Sequence, residues 1–174
     1  RIDHAHHAGN AYRALEDAIA FNAAIKVALE KTKREDTLIV ATADHAHTFT
    51  INGYPVRGNP IFGLAVDQKG QLMKAADGKP YTTLGYANGP GALFPALEEG
   101  ATEAKPAGVR PDLTGVDTKS PDFLQQSLVP MESETHAGDD VVIYAWGPQA
   151  HLFSGTVEQN FIFHVMSEAS GLGK

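Results

Sequence analysis

A long amphipathic helix followed directly by a short apolar strand limits the choice of fold more than any other part of this sequence. Apolar side chains recur three and four positions apart between Asn10 and Lys33, the spacing of one helix face. Residues 37–42 are apolar and β-branched, which favours a buried strand. This succession predicts an α/β fold with a mostly parallel central sheet flanked by helices.

The sequence divides into three segments that differ in amino-acid composition and hydrophobic pattern. Residues 1–52 hold the helix, the strand and clustered histidines, and we predict that they form a metal-binding α/β core segment. Residues 53–130 are rich in Gly, Pro, Asn and Asp, which predicts a loop-rich insertion with short elements, including a short helix at 122–128. Residues 131–174 contain an apolar strand, 140–146, and a helical pattern ending near Ser170, so they predict a C-terminal core segment.

Composition narrows the functions open to the chain. Of the 174 residues, 43% are hydrophobic and 20% charged, an ordinary balance for a globular protein. The net charge of −7 and the lack of any Lys/Arg cluster argue against nucleic acid as a partner. No apolar run approaches the roughly 20 residues that span a bilayer, so we predict no transmembrane segment in this chain. Cysteine is absent, which leaves His, Asp and Glu as possible metal ligands.

Candidate metal ligands occur at three places. Asp3 and His7 are four residues apart, so one helical turn would place them on the same side, where they could hold one zinc ion. Asp44 and His45 directly follow the predicted strand, where open α/β sheets place their sites. These neighbours can converge only where a strand breaks into a loop. His136 lies in a polar loop just before the strand 140–146.

Spacing alone leaves simpler explanations open for each of these residues. A histidine-rich segment is often merely solvated, an Asp-His pair can cap a loop, and a lone loop histidine is usually exposed. Three further histidines could orient metal ligands through hydrogen bonds, or could simply lie at the surface: His4, His6 and His47.

The sequence motifs around these residues are more specific for a protein family than the spacing of the residues. Residues 1–7 (RIDHAHH) resemble the alkaline phosphatase motif in which an Asp and the His four positions later bind the first zinc. Residues 42–49 (TADHAHTF) resemble the motif whose Asp and His bind the second zinc. Residues 134–141 (ETHAGDDV) resemble the later motif whose His completes the first zinc site. The motifs occur in family order, and residues 53–59 and 86–91 resemble the branch related to animal enzymes.

This resemblance implies a ligand set and several properties of the whole enzyme. Asp3, His7 and His136 would hold the first zinc, and Asp44 and His45 the second. A magnesium ion would be held mostly by residues outside this chain. The segment 53–130 would form a crown-like region at a homodimer interface, and the enzyme would be periplasmic or extracellular.

The implied activity is hydrolysis of phosphate monoesters by a two-zinc, phosphoserine mechanism. The family's nucleophilic serine lies in an Asp-Ser-Ala context far upstream, and no Asp-Ser-Ala occurs in these 174 residues. The arginine that binds the phosphate also lies upstream. We therefore expect no catalytic residue in this chain, a missing N-terminal portion that supplies both groups, and no activity from the chain alone.

Two alternatives fit the same ligands. Metal-dependent phosphodiesterases, sulfatases and phosphomutases share the paired Asp-xxx-His and Asp-His ligands and differ mainly in the nucleophile. A non-catalytic metal-binding module derived from the same fold would explain why no nucleophile motif is found.

Overall fold

The computed structural model describes residues 1–92 and 110–172. They belong to two compact units, the first made of Arg1–Ala18 and His47–His136, the second of Ile19–Ala46 and the chain from Ala137 onwards. The helices are α1 (Ile2–His7), α2 (Ala11–Lys31) and α3 (Phe161–Ser170). The strands are β1 (Ile39–Ala41), β2 (Ala46–His47), β3 (Phe49–Ile51), β4 (Leu84–Gly89), β5 (Ser127–Pro130), β6 (His136–Ala137) and β7 (Tyr144–Trp146).

The first unit is built around a three-stranded sheet in the order β3-β4-β5. The central strand β4 pairs antiparallel with β3, where Phe49 lies opposite Tyr86, and parallel with β5. Leu84 and Tyr86 are two residues apart and therefore on the same face of β4, and both are almost fully buried. The short strands β2 and β6 form a separate pair.

The joint between α1 and α2 is fixed by two buried amide side chains. Asn10 caps α2, since its Oδ1 accepts a hydrogen bond from the backbone N–H of Arg13, three residues later, at 3.0 Å. Its Nδ2 donates to the carbonyl of Pro121 at 2.8 Å. Gln125 Oε1 accepts from the N–H of Ala11 at 2.5 Å, and the Gln125 N–H donates to the carbonyl of Gly9 at 2.9 Å. The start of α2 therefore keeps few unsatisfied amide groups.

The second unit contains an antiparallel pair, β1 with β7, in which Ile39 lies opposite Trp146. Helix α3 ends at Gly171, whose φ of 69° is the left-handed conformation that favours glycine after a helix. None of the helices in residues 1–92 and 110–172 is both long enough and apolar enough to cross a membrane.

Apart from one short helix, the predicted helices and strands are present, with shorter bounds. Helix α2 covers most of the predicted stretch, β1 lies inside 37–42, and β7 is the last part of 140–146. The predicted helix at 122–128 is wrong: the segment runs into β5. Its residue Gln125 is hydrogen-bonded to the chain around Gly9 instead of to its own turn.

The α/β class is confirmed, but strand direction differs from the prediction. Among the described strands β1 pairs antiparallel with β7 and β3 with β4, whereas β4 and β5 run parallel. Apolar β-branched composition reports that a strand is buried, while its direction depends on the route of the connecting chain. The three predicted segments remain a prediction, and residues 93–109 of the middle one lie outside the described part of the chain.

Candidate metal centre

Helix α1 brings the first predicted pair together. Asp3 and His7 are one turn apart, and Asp3 Oδ1 lies 3.2 Å from His7 Nε2. The other ring nitrogen of His7, Nδ1, donates to the backbone carbonyl of Glu134 at 2.5 Å. With its hydrogen on Nδ1, a neutral His7 ring presents the lone pair of Nε2 towards Asp3.

His136, more than 120 residues further along the chain, reaches the same point from β6. Its Nε2 lies 3.5 Å from Asp3 Oδ1 and 3.1 Å from His7 Nε2. The His136 side chain is 50% exposed and the His7 side chain 32% exposed, so solvent and small solutes can reach these ring nitrogens. A catalytic metal needs such access, because it keeps a coordination position for water or substrate.

The three atoms have the separations that a tetrahedral metal site requires. With ligand bonds of about 2.0–2.1 Å, the edge of a zinc coordination tetrahedron is about 3.3 Å. The three edges measured here are 3.2, 3.5 and 3.1 Å. One carboxylate and two imidazoles are also a donor set that suits zinc. The residues present therefore fit this metal.

His47 also lies against Asp3. Its Nε2 lies 3.0 Å from Asp3 Oδ1, and its Nδ1 lies 2.7 Å from Glu134 Oε2. The His47 side chain is only 7% exposed. Asp3, His47 and His136 each offer a ligand atom within 4.8 Å of the others, and so do His7, His47 and Glu134.

His6 packs behind these residues in a neutral form. Its ring stacks on His47 with 4.7 Å between centroids, and its Nδ1 lies 2.8 Å from the hydroxyl of Tyr86. Burial, together with the neighbouring His47, lowers the pKa of His6 to about 4. Burial also raises the pKa of Tyr86, so the phenol keeps its proton for the hydrogen bond. His6 thus has a packing role beside the predicted ligands.

The remaining predicted residues have simpler surroundings. His4 is exposed, with Nδ1 3.7 Å from Asp3 Oδ2. Asp44 and His45 lie in the second unit just after β1, where the strand breaks into a turn. His45 Nε2 lies 3.7 Å from Asp44 Oδ2, so these neighbouring side chains point to the same side. Their assignment to a second zinc stays a prediction.

Glu134 is not among the site residues predicted from the sequence. This residue is 1% exposed, and its carboxylate accepts hydrogen bonds from Thr48 N at 2.6 Å, Thr48 Oγ1 at 2.7 Å and His47 Nδ1 at 2.7 Å. Its position two residues before His136 was the only available signal. That signal is weak, because most glutamates in polar loops are exposed.

The fold and this cluster define an α/β protein with a candidate metal site made of imidazoles and carboxylate. Comparison with known proteins gives the family: the family model described as alkaline phosphatase matches residues 1–172, and the chain belongs to that family.

Its relatives include the tissue-nonspecific isozymes of alkaline phosphatase from three vertebrates. The chain is 43% identical to that of Gallus gallus, 44% to that of Rattus norvegicus and 43% to that of Homo sapiens, each over 173 residues. These matches cover 99% of this chain and 30% of each relative. The chain thus spans less than a third of the length of these curated relatives.

Proposed function

We propose that this chain is the metal-binding part of a phosphate monoester hydrolase and supplies ligands to two zinc ions. Family membership supports the reaction class, and the geometry around Asp3 supports the metal. The observation that carries the proposal is the triangle of Asp3 Oδ1, His7 Nε2 and His136 Nε2, whose edges fit a tetrahedral zinc site.

The proposed ligand sets follow from the motifs. Asp3, His7 and His136 would hold the first zinc, and Asp44 and His45 would hold the second. When bound, a zinc pair supplies Lewis-acid stabilisation to the attacking and leaving oxygens of an in-line phosphoryl displacement. The donor set supports zinc over magnesium at these residues, since magnesium prefers oxygen ligands.

The chain's own residues prepare the first site. The backbone carbonyl of Glu134 holds the hydrogen of His7 on Nδ1, which leaves Nε2 free to act as a ligand atom. Helix α1 fixes Asp3 and His7 in one orientation, because both side chains leave the same helix face. His136 completes the set from β6 with half of its side chain in solvent. These contacts reduce the reorganisation that binding would otherwise require.

Other parts of the reaction would come from outside these 174 residues. We propose that a serine in an Asp-Ser-Ala context takes the phosphoryl group, that an arginine binds the phosphate, and that magnesium is held mostly by other segments. The same segments would complete a mostly parallel sheet around the described strands. Homodimerisation through a crown-like 53–130 region and a periplasmic or extracellular location have family support only.

Elemental analysis and turnover of p-nitrophenyl phosphate test this proposal together. The protein in its full natural length should contain zinc and hydrolyse the ester, and both should be lost on chelation and regained when zinc is added. A zinc-free protein that stays inactive after zinc addition would contradict the role assigned to Asp3, His7 and His136.

A non-catalytic metal-binding module is the second candidate, because the ligand triangle around Asp3 could hold a metal without any nucleophile. Zinc binding without any turnover by the protein in its full natural length would decide for this module. The third possibility, a phosphodiesterase, sulfatase or phosphomutase, loses its support because the chain belongs to the alkaline phosphatase family.

A further inference from the structure

We infer that Glu134 is a positioning residue that sets the orientation of His47 and, through it, of the carboxylate of Asp3. The inference rests on the proposed function, since Asp3 is a proposed zinc ligand. It adds to that function a buried carboxylate that would bind no metal itself and would fix how tightly zinc is held.

The first step concerns the carboxylate of Glu134. Its Oε1 accepts from the Thr48 backbone N–H and from the Thr48 hydroxyl, at 2.6 and 2.7 Å. A backbone N–H can only donate, so Oε1 must be an acceptor. Fully buried charges persist only when they are paired and hydrogen-bonded, and here His47 Nδ1 lies 2.7 Å from the second oxygen. Glu134 is therefore held in one orientation.

The second step concerns His47. Because Glu134 Oε2 accepts from His47 Nδ1, the imidazole ring can neither rotate nor flip without losing a buried hydrogen bond. The ring then holds Nε2 3.0 Å from Asp3 Oδ1, and both of these atoms are inaccessible to solvent. Glu134, His47 and Asp3 thus form a continuous line of contacts that ends on the oxygen proposed to bind zinc.

The third step concerns the backbone of Glu134, which contacts His7 twice. The Glu134 carbonyl accepts from His7 Nδ1 at 2.5 Å, and the Glu134 N–H donates to the His7 carbonyl at 2.9 Å. One residue therefore orients two of the imidazoles around Asp3, one through its main chain and one through its side chain.

The burial of the Glu134 side chain depends on its neighbours in the first unit. Asn88 pairs with Thr135 through two hydrogen bonds, one to the Thr135 hydroxyl at 2.8 Å and one from the Thr135 N–H at 2.9 Å. Gly89 has a φ of 133°, and a Cβ there would lie 3.1 Å from the Glu134 Cβ. A larger residue at 89 would therefore push Glu134 outwards.

Two variants at one position test the inference in the protein of full natural length. In Glu134→Ala the His47 ring loses its anchor, and we expect zinc affinity, measured against a competing chelator, to fall about 10- to 100-fold. In Glu134→Gln the amide can keep the bond to Thr48 and donate to Nδ1, so that the ring keeps its anchor while His47 carries its hydrogen on Nε2, next to Asp3. We expect this variant to stay within about threefold of the parent protein.

Three controls separate positioning from loss of folding. Glu132→Ala, in the same loop and exposed, should leave zinc affinity unchanged. Glu134→Ala should have a much smaller effect when His47 is already alanine, because the effect is transmitted through that ring. In ¹⁵N NMR of the imidazoles, Nδ1 of His47 should carry a hydrogen in the parent and lose it in Glu134→Gln.

Each outcome bears on a different statement. Equal affinity in Glu134→Ala and the parent overturns the inference. So does a loss in Glu134→Gln as large as in Glu134→Ala, since charge and not orientation would then be responsible. If Glu134→Ala fails to fold, the Glu134→Gln affinity and its imidazole spectrum still decide. A parent protein that binds no zinc would instead sink the proposed function.

Discussion

At the scale of single residues, the candidate metal centre depends on where each histidine carries its hydrogen. His7 donates from Nδ1 to a backbone carbonyl, so a neutral ring faces Asp3 Oδ1 with a lone pair at 3.2 Å. A lone pair and a carboxylate oxygen repel each other at that distance unless a cation or a proton lies between them. His136 Nε2 lies 3.1 Å from His7 Nε2, so these two nitrogens likewise need a proton or a cation between them. This arrangement suits a cation or a proton between these atoms.

Replacing His136 should therefore lower zinc affinity more than any change among the supporting residues. We expect His136→Ala to weaken zinc binding by more than the roughly 100-fold that marks the upper range for outer contacts, because a ligand atom is removed outright. Chelator competition on the protein in its full natural length measures this. His151→Ala is the matched control, since His151 is exposed and lies in the second unit. Parent-like affinity in His136→Ala would remove His136 from the proposed ligands.

The sequence allowed part of this centre to be predicted. The pairing of Asp3 and His7 follows from helical periodicity, and α1 brings them together. The approach of His136 could be expected only from the family resemblance, because nothing local connects residues 129 positions apart in the chain. Glu134 could not be predicted at all. Its burial results from contacts with Thr48 and Gly89, which neither composition nor periodicity reports.

At the scale of secondary structure elements, hydrophobic periodicity predicted which helices and strands exist better than it predicted where they end or which strands pair. Helix α2 is present, yet among its residues only Ala11 and Ala14 are fully buried. Strands β1 and β7 are shorter than their apolar runs, and their antiparallel pairing was not predicted. An apolar run indicates that a segment is buried. The strand that pairs with it depends on parts of the chain that are distant in sequence.

The joint between α1 and α2 gives a prediction at this scale. Asn10→Ala removes the cap of α2 and leaves the Pro121 carbonyl without its buried donor. A lost cap costs about 1 kcal/mol, and Pro121 is exposed, so that water can replace the lost donor; we therefore expect roughly 1–2 kcal/mol of destabilisation. Urea unfolding of the metal-free protein measures it. Asn52→Ala, at an exposed asparagine, should change stability by less than about 0.5 kcal/mol. Equal changes in the free energy of unfolding for the two variants would mean that capping by Asn10 does not stabilise the protein.

The loop formed by residues 64–82 depends on Arg110. Its guanidinium binds Asp77 through two contacts, at 2.7 and 3.1 Å, and donates to the carbonyls of Lys79 and Pro80. The hydrogen bond from Arg110 holds the pKa of Asp77 below its ordinary value of 3.8. A depressed pKa in the folded state means that the contribution is present above pH 3.8 and is lost as the pH falls through the lower folded value.

Arg110→Met should therefore loosen this loop already at neutral pH. We expect amide hydrogens of residues 66–80 to exchange faster in the variant, while the parent loses its protection only when acidified below pH 3.8. Hydrogen exchange followed by mass spectrometry reports both effects. Arg57→Met, at an exposed arginine in the same unit, should leave exchange unchanged. Parent-like exchange in Arg110→Met would show that the loop is held by other contacts.

At the scale of the whole molecule, both compact units leave large apolar side chains exposed. In the first unit Tyr54 is 93% exposed and Leu128 83% exposed. In the second unit Val142, Tyr144 and Phe163 are all exposed by more than half. Single exposed apolar residues are ordinary, but where several lie on one unit we expect other polypeptide to cover part of that surface. This agrees with the matched relatives, of which the chain covers 30%.

The 174-residue chain produced alone should thus differ from the protein in its full natural length. We expect the chain alone to bind a hydrophobic dye such as ANS strongly, to self-associate on size exclusion, and to give no p-nitrophenyl phosphate turnover with zinc present. The full-length protein should bind little dye and turn over the ester at the same zinc concentration. A chain that stays monodisperse, binds no dye and hydrolyses the ester would show that its own residues complete the active site. Strong dye binding with no turnover in either sample would instead favour the non-catalytic metal-binding module. Dye binding therefore reports whether apolar surface is left exposed, and ester turnover reports whether the catalytic site is complete.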